Sequence, residues 1–592
     1  MFLKCNRRKK DGKIHRYWSI VENRRCGSGR VVQRAVLYLG EINDSQRAAW
    51  CRTIEALDPE RERTLPLALF PADRAVPAHA AGFGVQVRLE GMELHRPRQW
   101  GACWLACLLY EQLGLDAFWA ARLPDSREGT CWRHILQTLV CYRLIDPGSE
   151  WRLHRLWFER SAMGDLLGRD FSLVEKNALY RCLDKLLAHK TALFSHLQER
   201  WRDLFGARFE VLLYDLTSTY FECDAPEAGG GKRRFGYSRD KRPDCVQVVI
   251  ALVVTPEGFP LAYAVLPGNT SDKTTLRDFL AEIETQYGRA DRIWVMDRGI
   301  PTEEVLAEMR ASVPPVCYLV GTPRGRLGKL EAQLLERPWQ RAREGVEVKL
   351  LPEEGELYVL ARSRDRVGKE RAMRRRQLRA LWARLVHLRG MKLKAHELLL
   401  KLGEARGRWR AAWRFIDIEL PPTRAKGAAS ITFRLNREKL RAARRREGSY
   451  LLRSNLTGRD PAELWQFYMR LVEIEAAFKN LKDDLDLRPI HHHLEGRIEA
   501  HIFVAFLAYS LHVSLRARLR PLAGGLTPRA VLDQLAAIQM IDVHFPTTDG
   551  RTLILPRHTQ PQADQSILLD RLGLELPPQP PPRISAKGKL TD

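Results

Sequence analysis

ARFEVLLYDLTSTYFE, residues 207–222, decides the fold class. Strand alternation puts Phe209, Val211, Leu213 and Asp215 on one face, so a carboxylate ends an apolar strand face. Downstream come two more apolar runs, CVQVVIALVVTP (245–256) and FPLAYAVLPG (259–268), joined by a Glu-Gly turn. A helix follows over 272–287, then the strand RIWVMDRG (292–299), a helix from Thr302, and the strand VCYLVGTPR (316–324). The order β-β-β-α-β-α-β predicts a short mixed sheet covered by helices, an α/β layered core. In RIWVMD, Ile293, Val295 and Asp297 share a face, so a second carboxylate closes a second strand. Two such carboxylates suit Mg²⁺, which takes few protein carboxylates and keeps positions for water and phosphate oxygens.

The third carboxylate is sought in WQFYMRLVEIEAAFKNLKDDL (465–485). Treated as one helix, its apolar stripe is Phe467, Leu471, Ile474, Phe478, Leu481 and Leu485. At about 100° per residue from Tyr468, that stripe centres near ~260°, with Glu475 near ~340° and Lys482 near ~320° at its edge; Glu473 falls near ~140°, on the far side. Glu475 is therefore the candidate. Three carboxylates holding two metal ions about 4 Å apart serve an in-line displacement at phosphorus, with no organic cofactor or covalent nucleophile.

Upstream, residues 1–45 read as a basic β unit, with YWSIVENRR and VVQRAVLYLG parted by CGSG. Residues 46–70 and 95–205 read mostly as helices, with PADRAVPAHAAGFG (71–84) as a linker. Residues 325–450 interrupt the α/β pattern. They hold strands ELYVLARS and AWRFIDIEL around a long basic helix, and read as an insertion. HIFVAFLAYSLHVSL (501–515) is a buried helix, too short for a membrane span and containing His501 and His512. From 575 the Pro-rich basic tail reads as disordered. His491, His492 and His493 are consecutive, and three consecutive positions do not converge on one ion from a helix or strand.

The 592 residues carry 97 Lys and Arg against 72 Asp and Glu, a net charge of +25. Such an excess favours a polyanionic partner, nucleic acid first. The eleven cysteines form no C-x-x-C pair, so neither a disulfide framework nor a cysteine metal site is expected. MFLKCNRRKK has no apolar run before its charges, and a soluble, cytoplasmic chain is expected. Lys232, Arg233, Arg234, Arg239, Lys241 and Arg242 in the loop after the first strand are candidate phosphate contacts. Arg374–Arg376 and Arg441–Arg446 carry the same reading, and Trp382, Trp409 and Trp413 are candidates to stack on an unpaired base.

YDLTSTYFE (214–222), GYSRDKRPDCVQVVIALVVTPEGFPLAYAVLPGNTSD (236–272), WVMDRGI (294–300), YLVGTPRGRL (318–327) and YMRLVEIEAAFKNLK (468–482) together resemble the DDE transposases of bacterial insertion sequences. The similar branch carries an inserted, largely β domain before its catalytic Glu and a Tyr-x2-Arg-x3-Glu-x6-Lys signature. The resemblance implies a ribonuclease-H-like catalytic core, a β-rich insertion domain and a β/helical N-terminal DNA-binding region. It implies Asp215, Asp297 and Glu475 as catalytic and metal-binding residues, separated by 297 − 215 = 82 and 475 − 297 = 178 positions. It implies Tyr468 and Lys482 near the DNA backbone. The signature Arg falls at Leu471, with Arg470 beside it. Domains are expected at 1–70, 71–205, 206–325, 326–450, 451–520 and 521–592. The implied activity is cut-and-paste transposition with two Mg²⁺ or Mn²⁺ ions, on terminal inverted repeats and target double-stranded DNA, as a homodimer in the synaptic complex. The rival expectations are a DNA-binding repressor that no longer cuts and a structure-specific nuclease.

Overall fold

The computed structural model describes residues 2–585 except 11–12, 26–30, 42–54, 59–62, 67–68, 71–84, 224–230, 272–274, 288–291, 298, 323–329, 331–332, 335, 354, 392, 420–429 and 523. The expected linker at 71–84 and the CGSG turn lie outside the described residues. Two compact units emerge: 197–480 with 488–490, and 1–196 with 481–487 and 491–592.

The first unit is built on one nine-stranded sheet. Its strands are β1 (Val211–Tyr220), β2 (Gln247–Val254), β3 (Pro260–Pro267), β4 (Ile293–Met296), β5 (Cys317–Gly321), β6 (Gln340–Arg343), β7 (Val346–Glu353), β8 (Glu356–Ser363) and β9 (Ser449–Ser454). The sheet order is β3-β2-β1-β4-β5-β9-β8-β7-β6. β1, β2 and β3 pair antiparallel, whereas β4 lies parallel to both β1 and β5. Every residue of β2 is buried, as expected when helices cover both faces of a sheet. Helices α1 (Leu276–Tyr287) and α2 (Glu303–Ala311) connect β3 to β4 and β4 to β5. Thr302 starts α2 by accepting a hydrogen bond from the Val305 amide at 3.2 Å.

Three strands of the 326–450 segment do not form a separate sheet. β8 pairs with β9, and β9 with β5, so β6–β8 prolong the sheet that began at β1. The segment also holds the 27-residue basic helix α3 (Arg364–Gly390) and its own apolar cluster, with Leu381, Leu385, Leu398 and Ile431 at its centre. An ionic network centred on the buried pair Arg453 and Glu356 links α2 to this part of the sheet. Arg453 on β9 donates to Glu356 on β8 at 2.7 Å and to Glu303 on α2 at 2.7 Å; Arg310 of α2 donates to Glu356 at 2.7 Å.

The 465–485 stretch is not one helix. α4 (Pro461–Met469) stops at Arg470, α5 (Leu471–Lys479) follows directly, and a wide π-type turn, Asn480–Asp484, comes after it. The Arg470 amide reaches back to the Gln466 and Phe467 carbonyls, at 3.2 and 3.0 Å, which closes the first helix.

In the other unit, Lys13–Arg25 pairs antiparallel with both Phe2–Lys10 and Val31–Glu41, so the expected β unit gains a strand. Residues expected to be helical between 46 and 70 are strands where described: Glu55–Asp58 pairs with Arg63–Pro66. Pro59 and Pro66 break any helix long enough to bury a stripe there. α6 (Glu495–Leu522) is long and apolar enough to cross a membrane, yet 94% of its most apolar window is buried inside the protein, as for a core helix. The tail is ordered to Ser585, against the expectation of disorder from 575. Arg583–Ile584 pairs with Thr552–His558. The carbonyls of Pro577 and Pro580 are taken by His558 at 3.1 Å and Arg557 at 2.8 Å. Gln579 between the prolines adds two more bonds: it accepts the His558 amide at 2.9 Å and donates to the His558 carbonyl at 2.9 Å.

Candidate active site

Asp215 does not end its strand. β1 runs on to Tyr220 against β2, with Asp215 opposite Leu252. What ends is its parallel neighbour: β4 pairs Met296 with Tyr214 and stops. Asp297 is therefore the residue after the last registered pair, beside Asp215 on an adjacent strand. Neighbouring strands lie about 4.8 Å apart, which brings two carboxylates within reach of one ion. Asp215 is half-buried and one of its oxygens accepts the Leu216 amide at 2.8 Å; Asp297 is exposed.

Tyr468 on α4 donates its hydroxyl to Asp297 Oδ1 at 3.2 Å. Its ring is held edge-on by Tyr450 of β9, with centroids 6.2 Å apart, and Arg366 sits 3.8 Å over the Tyr450 ring. α5 packs on β1 and β2, burying Leu471, Ile474, Ala477 and Phe478. Glu475 is on the exposed side of α5, and Glu473 is half-buried. The expectation that Glu473 is the solvent-facing one of the pair fails: Ala477 is buried with Leu471, Ile474 and Phe478, which widens the packed face of α5 toward Glu473 and leaves Glu475 exposed. Leu471, in the signature Arg place, is a packing residue, whereas Arg470 is exposed at the corner, 3.5 Å from the Pro256 carbonyl. Lys482 is half-buried in the π-type turn.

The basic loop divides. Arg242 is tied to Glu222 at 2.8 Å and Asp244 at 3.0 Å, over the Tyr220 ring. Those hydrogen bonds raise the Arg242 guanidinium further above its ordinary value and pull Asp244 down to about 2. Its charge is already met within the chain. Arg233 points at the Phe221 ring and the Cys223 sulfur. Arg234 and Lys241 are exposed, and Lys232 and Arg239 half-buried. Trp409 and Trp413 pack against the apolar cluster of the 326–450 segment, and Trp382 stands edge-on to Phe433. Arg374 and Arg371 pair with the buried Glu447. Arg341, Arg343 and Arg362, with Trp339, line a groove beside Arg444–Arg446.

Sequence reasoning missed how the loops around β1 are fixed. Gly236 and Gly268 stand back to back: a Cβ on Gly268 would meet the Gln247 carbonyl oxygen at 2.0 Å, and one on Gly236 the Gly268 oxygen at 2.1 Å. The buried Gln247 amide donates to the Tyr237 and Gly268 carbonyls, at 3.1 and 2.9 Å. The glycines in GYS and PGN were the visible signal.

Two family models match the chain in order: an IS1634 family transposase N-terminal domain over residues 3–65 and a transposase DDE domain over 217–511. The chain belongs to the DDE transposases of insertion sequences. A transposase of this family is a DNA-processing enzyme and uses divalent metal ions. The DDE-domain match spans the second carboxylate, the 326–450 segment and α5, and Asp215 lies two residues before it. No curated protein matches the transposase. Among solved structures, a piggyBac transposase synaptic complex with hairpin DNA is similar at 8% identity, over 75% of this chain and 82% of that one; the TM-score is 0.33. The donor set fits hard cations: carboxylate oxygens on adjacent strands, one within β1 and one just past the end of β4, the latter exposed.

Proposed function

We propose that the enzyme performs cut-and-paste transposition, with Asp215, Asp297 and Glu475 holding two Mg²⁺ or Mn²⁺ ions. The observation that carries this reading is that Asp215 and Asp297 each follow the last registered pair, Tyr214 with Met296, of the adjacent parallel strands β1 and β4, with Tyr468 on the second carboxylate. The order β3-β2-β1-β4-β5, with β1–β3 antiparallel, supports a ribonuclease-H-like core. When bound, such ions activate a water or 3′-hydroxyl and neutralise the leaving oxygen. Tyr468 orients the Asp297 carboxylate by its hydrogen bond, and Glu475, on the exposed side of the helix that packs on β1 and β2, supplies the third carboxylate. Arg470, Lys482, Lys232, Arg234, Arg239 and Lys241 hold DNA phosphates; Arg233 and Arg242 shape the loop. The strands before residue 70 and the helices up to 205 bind the terminal inverted repeats, and a homodimer pairs two ends. The remaining divisions, 206–325 and 451–520 as core, 326–450 as insertion and 521–592 as C-terminal region, belong to the same reading, as does a bacterial cytoplasmic location.

The test is cleavage and joining of DNA carrying the element's own ends. Metal-dependent nicking and strand transfer are expected from the wild type, and neither from Asp215→Asn or Asp297→Asn. Cleavage by those variants refutes the site. End binding without cleavage by the wild type identifies a silent DNA-binding repressor, and cleavage without joining a nuclease.

A further inference from the structure

His492 does not act with its sequence neighbours. Among the described residues it meets two others from distant elements: Glu150, just after the Ser149 cap, and His501, in the second turn of α6. All three are buried, at 6%, 8% and 6% exposure for Glu150, His492 and His501. His492 Nε2 is 3.3 Å from Glu150 Oε1, and His501 Nδ1 is 3.6 Å from the same oxygen. One nitrogen or oxygen from each residue lies within 4.8 Å of the others.

These separations are wide for hydrogen bonds to a carboxylate, which run at about 2.7–2.9 Å. They match two ligands of one tetrahedral zinc, which with bonds of about 2.0–2.2 Å stand roughly 3.3–3.5 Å apart. Two imidazoles and one carboxylate are also a donor set that borderline metals favour over Mg²⁺. Arg143 stands against the cluster. It donates to the Asp486 carbonyl at 3.0 Å and the Leu485 carbonyl at 3.4 Å, and its other nitrogen is 3.5 Å from His501 Nδ1. Glu150 offsets its charge, and the carbonyls keep the guanidinium engaged when the His501 lone pair turns to a metal.

We propose that Glu150, His492 and His501 bind one Zn²⁺, with water as the fourth ligand, as a structural staple separate from the catalytic carboxylates. The three ligands come from a helix start, the segment after Ile490, and α6. The ion therefore ties together backbone that lies hundreds of residues apart in sequence.

The test uses the full chain, loaded with Zn²⁺, gel-filtered and analysed for metal, with Co²⁺ titration as the spectroscopic probe. One Zn²⁺ per chain is expected, with tetrahedral Co²⁺ absorption. Both persist in Asp215→Asn with Asp297→Asn and are lost in His492→Gln. Chelation is expected to lower the melting temperature of the wild type, and Zn²⁺ to restore it, because a metal bound only to the native state stabilises it. Substoichiometric zinc with no effect of chelator overturns the proposal and leaves a metal-free Arg143–Glu150–histidine network. So does a metal that disappears with the aspartates and stays with His492→Gln. If His492→Gln does not fold, the wild-type stoichiometry and the aspartate variants still decide.

Discussion

Tyr468→Phe removes one oxygen and nothing else from the proposed site. The hydroxyl donates to Asp297 Oδ1 at 3.2 Å, and Asp297 is exposed. A hydrogen bond to a charged group contributes about 1.5–3 kcal/mol when shielded from water. The length and exposure here reduce that to about 1 kcal/mol, and 1.4 kcal/mol corresponds to a factor of ten. The Phe ring keeps its edge contact with Tyr450, so the helix stays in place. The expected result is an approximately fivefold rise in the Mg²⁺ concentration for half-maximal cleavage, with most of the rate recovered at saturating Mg²⁺. The assay is nicking of end-bearing DNA across a Mg²⁺ series, with DNA affinity measured in parallel without metal. An unchanged Mg²⁺ midpoint, whatever happens to DNA affinity, refutes the role given to this hydrogen bond.

Glu475→Gln is expected to lower cleavage by about 10²–10³, the scale for losing one group that stabilises developing charge, while Glu473→Gln stays within about twofold; equal losses would move the third carboxylate off Glu475. Gly268→Ala forces a Cβ onto the Gln247 carbonyl, so a loss of about 3 kcal/mol in urea unfolding is expected, at the upper end for overpacking; wild-type stability would contradict the back-to-back packing. Glu356→Gln leaves the buried Arg453 short of a counter-charge and is expected to cost about 3 kcal/mol, read from the urea midpoint. Burial, and then Arg516, push His512 down to about 4. The unfolded chain binds a proton there between pH 6.5 and 4 and the folded chain does not, so stability falls as pH drops through that window, by about 3 kcal/mol in all. His512→Gln is expected to flatten that part of the pH–stability curve.

The core was legible because its signals are local. Alternating apolar residues in 209–215 and 293–297 give strands whatever surrounds them, although the first strand runs on past Asp215 to Tyr220. Motifs in fixed order added the family. The exposure of the two glutamates was not local: Ala477 packs with Leu471, Ile474 and Phe478, which brings Glu473 to the edge of the buried face and leaves Glu475 exposed. Docking of the proline tail depended on Arg557 and His558, residues on the strand it lies against. The histidine run shows the same limit. Three adjacent histidines cannot share one ion, and that was readable; that His492 alone turns inward to meet Glu150, 342 residues upstream, was not. Sequence determined the strands at 211–220, 247–254, 260–267, 293–296 and 317–321, because each rests on neighbours a few positions away. Tertiary structure decided which Glu, which Arg and which His face one another, because those pairs meet only when distant segments pack.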